Sequence, residues 1–157
     1  MDLNISDETN SLLKDNGFRI EEIQELIENA ESSGNKLKDA DGEVFIAKGD
    51  SDNLTTYAVY SPLSNGAFEL KSAYAHKMKI AGLTGGSFVE VEYDDENGWT
   101  CHKCNEAAVD RNVDMFYLDV TRPGPGIICP KCGEIYISEG VNKTLKTAES
   151  ILEEKRA

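Results

Sequence analysis

Trp99-Thr100-Cys101-His102-Lys103-Cys104-Asn105 and Ile128-Cys129-Pro130-Lys131-Cys132-Gly133 together contain every cysteine of this 157-residue chain. We call residues 99–105 the first knuckle and residues 128–133 the second knuckle. In each, two intervening residues separate the cysteines, so both sulfurs can reach one ion. The Asn or Gly after the second cysteine tolerates a positive φ, as a tight turn requires. Two such turns brought together form a closed four-thiolate site, which predicts four metal ligands: Cys101, Cys104, Cys129 and Cys132.

Three chemistries are compatible with this pattern. A structural Zn²⁺ needs only closed coordination, and it can replace a core too small to fold alone. Iron in a rubredoxin-like site uses the same four sulfurs, so cysteine spacing does not separate it from zinc. A dithiol–disulfide exchanger would need one pair rather than two converging pairs.

Two aromatic side chains belong to the first knuckle. His102 follows Cys101 directly, which is expected to turn its ring away from the ion, and Trp99 is expected to pack as a lid over the sulfurs.

The sequence around the knuckles predicts a short sheet followed by a helix. Predicted strands cover residues 87–93, 115–121 and 134–138, and the run Arg122-Pro123-Gly124-Pro125-Gly126 predicts a stiff turn. A last helix is expected from Ser138 or Glu139, with one apolar face made of Val141, Leu145, Ala148, Ile151 and Leu152.

The N-terminal half predicts two helices and an antiparallel meander. The helices are expected at residues 6–15, capped by Ser6, and at residues 20–33, ended by Gly34. Three strands follow at residues 44–48, 54–61 and 68–80, the last with its alternate residues from Phe68 to Met78 on one face.

The expected fold class is therefore α+β: an N-terminal helix and β-meander, then a zinc-ribbon-like β module and a terminal helix. The predicted domains are residues 1–81 and 87–157, joined by a linker at residues 82–86, Gly-Leu-Thr-Gly-Gly. This linker lacks the Gly-Lys-Ser/Thr ending of a phosphate-binding loop.

Charge and hydropathy limit the partners and the location. Residues 1–100 carry 20 acids and 8 bases, whereas residues 101–157 carry 9 acids and 8 bases. Such an acidic surface repels phosphate backbones, so no nucleic-acid partner is expected, while a basic protein partner fits. No apolar run reaches membrane-spanning length and the N-terminus lacks signal-peptide features, so we expect no membrane association and a cytoplasmic location. Reducing conditions there favour thiolate–metal bonds over disulfides.

A second candidate site lies in the meander. Tyr74 and His76 share one face of the predicted strand, and Tyr57 and Tyr60 lie on the neighbouring strand. As a catalyst His76 would need a base or nucleophile beside it, and none is close in the sequence. Tyr74 and His76 are therefore candidates for a ligand or partner site, with a hydrogen-bonded structural histidine as the alternative, and independent catalysis is not expected.

The C-terminal third, residues 98–156, resembles a family of small four-cysteine, zinc-ribbon or rubredoxin-like "redox proteins" of anaerobic bacteria. The similarity rests on both knuckles, on Phe116-Tyr117-Leu118 between them, and on the helix ending Glu149-x-x-Leu152-Glu153-Glu154-Lys155. That family tends to accompany molybdenum- or tungsten-type oxidoreductases. The resemblance implies that all four cysteines are ligands and that the chain is a non-catalytic accessory metalloprotein, with an oxidoreductase or its maturation factor as partner. A rubredoxin-like iron electron carrier is the alternative.

Overall fold

The structure, a computed structural model, describes residues 2–51, 53–83 and 98–156. Three α-helices and eleven β-strands lie in these ranges. The helices are α1 (Asp7–Asp15), α2 (Ile20–Ser33) and α3 (Glu139–Arg156). The strands are β1 (Leu3–Ile5), β2 (Lys36–Asp39), β3 (Phe45–Ser51), β4 (Leu54–Pro62), β5 (Phe68–His76), β6 (Lys79–Leu83), β7 (Trp99–Cys101), β8 (Glu106–Ala107), β9 (Val109–Tyr117), β10 (Val120–Ile128) and β11 (Ile135–Tyr136). The predicted α+β class is confirmed.

The strands form two sheets. The large sheet has the order β1-β5-β4-β3-β2-β7-β8, and the small sheet has the order β11-β10-β9-β6. All pairings are antiparallel except the parallel pair β1–β5. The predicted meander is therefore present as β3-β4-β5, at the centre of the large sheet.

Strand pairing crosses the predicted domain boundary in both sheets. β7, which follows the boundary, pairs with β2, and β6 pairs with β9. Gly82 and Leu83, the first two residues of the predicted linker, lie in β6, where their backbone pairs with Asp114 and Val113. Residues 84–86 and the predicted strand at residues 87–93 lie outside the described residues. Whether residues 1–81 and 87–157 unfold separately stays a prediction.

Each face of the large sheet is covered by its own apolar cluster. Leu13, Ile23 and Ile27 from α1 and α2 pack on the face that carries Ala58 and Tyr60. The opposite face packs against the small sheet and α3, through Ile46, Tyr57, Tyr74, Val113, Met115, Ile127, Ile137 and Leu145. Period-two alternation produces this division, since neighbouring residues Tyr57 and Ala58 belong to different clusters.

The strand predicted at residues 68–80 is wrong in two respects. The partner of Tyr60 is Leu70 and the partner of Val59 is Ser72, so a bulge at Lys71 shifts the register. Leu70 consequently lies in the helix-side cluster whereas Tyr74 lies in the opposite cluster, and the predicted single face is not formed. The chain also leaves the large sheet after His76 and enters the small sheet at Lys79.

The predicted turn at residues 122–126 is likewise wrong, because these residues lie inside β10. The chain instead reverses direction between β9 and β10, at Leu118 and Asp119, which have φ of 49° and 66°. β10 accommodates Pro123 and Pro125 because only Ile127 and Ile128 pair with β11, which leaves one side of the proline segment at a sheet edge among the described residues. A Cβ on Gly126 would come within 3.1 Å of Val113, so close packing accounts for the glycine there.

The helix boundaries follow the sequence signals. The Ser6 hydroxyl accepts a hydrogen bond from the Thr9 amide, and Gly34 ends α2 with φ of 80°. α3 begins at Glu139 as predicted, although Ile151 is 48 % exposed and does not belong to the buried face. No helix in the described ranges has both the length and the apolar character needed to cross a membrane.

Candidate metal centre

The first knuckle extends from the large sheet. Cys101 is the last residue of β7, where it pairs with Leu37 of β2. The next amide, of His102, donates to the Lys36 carbonyl at 2.9 Å, so β2 also anchors the turn. The turn closes with a hydrogen bond of 2.8 Å from the Asn105 amide to the Cys101 carbonyl, and Asn105 has φ of 54°.

The second knuckle repeats this geometry at the end of the small sheet. The Gly133 amide donates to the Cys129 carbonyl at 2.9 Å, and Gly133 has φ of 81°. The Cys129 amide in turn donates to the Glu134 carbonyl at 3.0 Å. The positive φ predicted after the second cysteine is therefore confirmed in both knuckles, and it lets the chain fold back within four residues.

The two turns bring the four sulfurs together. All four Sγ atoms lie within 4.8 Å of one another, and those of Cys101 and Cys132 are 3.9 Å apart. Four thiolates around zinc, with Zn–S bonds of about 2.3 Å, are separated by about 3.8 Å. The arrangement is compatible with a metal site, and the donor set fits a tetrahedral ion such as Zn²⁺ or iron.

The four cysteines differ in exposure. Cys101 and Cys129 are buried, Cys104 is half-buried and Cys132 is exposed. Burial raises the pKa of the Cys101 thiol to about 12 without a metal. Burial also opposes ionisation of Cys129, but hydrogen bonds from the backbone amides of Cys132 and Lys131 outweigh it and lower the pKa of Cys129. Cys129 is thus more ready to ionise than Cys101 or Cys104, since burial raises the pKa of both of those thiols.

The aromatic residues of the first knuckle occupy different surroundings. The His102 ring meets the edge of Phe45 with centroids 6.4 Å apart, and the cluster of potential ligands contains only cysteines. Partial burial, followed by the nearby ammonium groups of Lys36 and Lys38, lowers the pKa of His102. Trp99 packs against the cluster between the sheets, and its role as a lid over the sulfurs stays a prediction.

A lysine of the large sheet supports the second knuckle. The Lys48 ammonium forms an ion pair with Glu134, donates to the Ile135 carbonyl at 2.8 Å and lies 5.1 Å from the centre of the Tyr136 ring. It therefore links β3 to the chain just after Cys132, and it places a positive charge on the side where thiolates would concentrate negative charge.

The candidates Tyr74 and His76 are buried and satisfied by internal partners. The Tyr74 hydroxyl donates to the Ile137 carbonyl at 2.7 Å. His76 Nδ1 lies 2.8 Å from the Met78 carbonyl and must donate to it, so Nε2 accepts a hydrogen bond of 2.9 Å from the Tyr57 hydroxyl. Both side chains are thus structurally bonded, and their role as a ligand site stays a prediction. Tyr57, named only as a neighbour, lines a cleft beside the second knuckle, whereas Tyr74 lines a different cleft, next to α3.

The buried histidine predicts a pH dependence of stability. Burial lowers the pKa of His76 below its ordinary value, so the unfolded chain binds the proton more readily than the folded chain. Stability from this residue is complete above the unfolded pKa of about 6.5 and decreases as the pH falls through it. Between about pH 7.5 and pH 6, the free energy of unfolding should fall more steeply for the native protein than for His76→Phe, measured by urea titration. If the free energy of unfolding changed equally with pH in the native protein and in His76→Phe, the lowered pKa of His76 would be contradicted.

Sequence reasoning missed the groups that hold the elements around the site. Glu149 of α3 is 3 % exposed and accepts hydrogen bonds from the Lys77 and Met78 amides. Its spacing from the apolar residues Leu145 and Leu152 on the same face was the available signal. Lys48 and Asp50 were also missed, although two charges at i and i+2 on a strand share one face.

Comparison with known proteins assigns part of the chain to a family of unknown function. A family model described as a domain of unknown function, DUF7479, matches residues 97–155, which is less than half of the chain. The matched segment contains all four cysteines and nearly all of α3. No curated protein and no solved structure matches the chain.

Proposed function

We propose that the protein is a non-catalytic accessory metalloprotein whose four thiolates hold a structural Zn²⁺. The observation that carries this proposal is the convergence of Sγ atoms from Cys101, Cys104, Cys129 and Cys132 within 4.8 Å of one another. Four protein ligands complete a tetrahedral zinc sphere and leave no open position for substrate, which favours a structural role over a catalytic one.

The position of the cysteines supports a structural ion. The first knuckle follows β7 of the large sheet, and the second knuckle lies between β10 and β11 of the small sheet. One ion bound to both knuckles would join the sheets at one end of their common core. Such a crosslink stabilises the folded chain by the free energy of metal binding, since the unfolded chain holds no preformed site.

An iron electron carrier is the second candidate, and the exposure of the sulfurs favours it. Cys132 is exposed and Cys104 is half-buried, so two of the four sulfurs approach the surface. Electron transfer to another protein is faster when the metal and its ligands are near the surface. In this alternative the iron would cycle between the ferrous and ferric states within the same four thiolates.

The proposed partner is an oxidoreductase or the factor that matures one. A net charge of −13 supports a partner with a basic docking surface and disfavours nucleic acid. The resemblance of residues 98–156 to small redox-associated four-cysteine proteins supports the same class of partner.

Metal content and colour separate the two candidates. Protein purified anaerobically from the native host is expected to contain one zinc ion per chain and to remain colourless after exposure to air. A red protein with one iron per chain would replace the zinc proposal by the iron alternative. A colourless protein without bound metal and with oxidised cysteines would contradict both.

A further inference from the structure

A polar cleft lies between the two sheets, beside the second knuckle. It has a volume of about 360 Å³ and is formed by three separate parts of the chain: the β3–β4 hairpin, the start of β6 and residues 132–135. Its lining includes both charged side chains and the apolar side chains of Ile80 and Ile135. Ligand sites measure about 300–1,000 Å³, so this cleft fits a small molecule.

The floor of the cleft consists of polar side chains on β3 and β4. They lie on the face of the large sheet that packs against the small sheet. Lys48 pairs with Tyr57 and Asp50 pairs with Thr55 across β3 and β4. Residues two apart on a strand point to the same face about 6–7 Å from each other, so a positive and a negative side chain stand side by side. Such a spacing suits two opposite charges carried by one small molecule.

Both charged groups retain hydrogen-bonding capacity. The Lys48 ammonium has three N–H bonds, of which Glu134 and the Ile135 carbonyl use two. The Asp50 carboxylate accepts one hydrogen bond, from the Thr55 hydroxyl at 3.0 Å, and it has further lone pairs. One donor site and one acceptor site are thus open to a ligand.

The charge of the cleft differs from that of the chain. Among the described residues that line it, Lys48 and Lys79 carry positive charges and Asp50 and Glu134 carry negative charges, whereas the whole chain has a net charge of −13. A lining with charged side chains of both signs favours neither a simple anion nor a simple cation. It complements a molecule that carries both charges, with Ile80 and Ile135 available to contact an apolar substituent.

We propose that this cleft binds a free α-amino acid as a zwitterion, with its carboxylate on Lys48 and its ammonium group on Asp50. The Tyr57–His76 hydrogen bond keeps the floor rigid, since Tyr57 is fully buried and its hydroxyl is fixed by His76. Bound ligand would lie against Cys132 and Gly133, so binding would also cover the exposed side of the second knuckle. The proposal does not depend on which metal the knuckles hold.

Calorimetric titration with each proteinogenic L-amino acid, on the metal-loaded full chain, tests this proposal. At least one amino acid should bind at concentrations below about 10 mM and shift the amide resonances of Thr55, Ile80 and Gly133 in NMR spectra. Its N-acetyl derivative retains only the carboxylate and its carboxamide derivative retains only the ammonium group. Each derivative should bind at least about tenfold more weakly than the free amino acid.

A pair of variants locates the ammonium subsite. Asp50→Asn should weaken binding of the amino acid about tenfold, whereas Asp41→Asn, the same charge change at an exposed turn position, should leave it unchanged. The proposal is overturned if no amino acid shifts these resonances, if the singly charged derivatives bind equally well, or if the two variants have equal affinity. Because the derivative series uses the native chain, the result does not depend on the folding of a variant.

Discussion

Replacing Cys129 by serine is expected to release the metal and to destabilise the whole chain. Cys129 is fully buried, and a serine hydroxyl is a much poorer ligand for zinc or iron than a thiolate. Zinc binding contributes about 10–16 kcal/mol to the folding of small zinc modules, so loss of one ligand should lower the free energy of unfolding by about 5 kcal/mol or more. Metal analysis and urea titration would measure the two effects.

The effect should extend beyond the knuckles because both sheets include strands from each half of the sequence. Cys101 is paired with Leu37, and the cluster between the sheets contains Tyr57 and Tyr74 together with Ile127 and Ile137. Hydrogen exchange in Cys129→Ser should therefore accelerate in β2 and β3 as well as in β9 and β10. Native protection of β2 and β3 beside an unfolded ribbon would instead support independent domains at residues 1–81 and 87–157.

A matched control for this variant lies in the same turn. The Lys131 side chain is exposed and contributes no ligand atom, so Lys131→Gln should keep one metal per chain and native stability. Full metal occupancy in Cys129→Ser would contradict the proposed ligand set.

Local sequence signals predicted the knuckles and the helix ends because each depends on a few neighbouring residues. The positive φ of Asn105 and Gly133, the Ser6 cap and the Gly34 ending all follow from the conformational or hydrogen-bonding preference of a single residue. The convergence of the sulfurs was predicted from the chemical requirement that four thiolates share an ion.

Pairing between distant strands was harder to predict. The Pro-Gly run at residues 122–126 has the composition of a turn, yet it fits a strand because its prolines lie at a sheet edge. The bulge at Lys71 and the change of sheet after His76 depend on partners far along the chain, so the alternation from Phe68 to Met78 gave no sign of either.

The chain leaves the large sheet after His76 and enters the small sheet with the help of one buried carboxylate, that of Glu149. Removing this carboxylate is expected to cause the second large loss of stability. One oxygen of Glu149 accepts both the Lys77 amide at 2.7 Å and the Met78 amide at 2.9 Å. These residues lie between β5 and β6, and no strand pair in the part of the chain that the structure describes includes either of them. α3 thus provides the acceptor that lets the backbone leave one sheet and enter the other without buried unpaired donors.

Glu149→Ala is therefore expected to lower the free energy of unfolding by about 3–5 kcal/mol, since it leaves one buried and one partly buried amide without an acceptor and removes packed side-chain atoms. Alanine favours the helix, so a loss of this size would not come from helix propensity. The side chain of Glu149→Gln has a similar shape, and its amide oxygen can accept the same hydrogen bonds. This variant should therefore lose less stability than Glu149→Ala. Urea titrations would measure the free energy of unfolding, which should decrease from the native protein to Glu149→Gln and then to Glu149→Ala.

Glu153→Ala, one turn further along α3, is the matched control. Glu153 pairs with the Lys77 ammonium at 2.8 Å and accepts a hydrogen bond from the Tyr117 hydroxyl at 3.2 Å, but these groups are exposed or half-exposed. The Lys77 side chain is the main cause that lowers the pKa of Glu153. Water and salt screen such surface pairs, so this variant should lose little stability. Equal losses of stability in Glu149→Ala and Glu153→Ala would contradict this role of Glu149. The hydrogen bonds from the Lys77 and Met78 amides would then not be what fixes the passage from β5 to β6, and attachment of α3 through its charged face would explain both losses better.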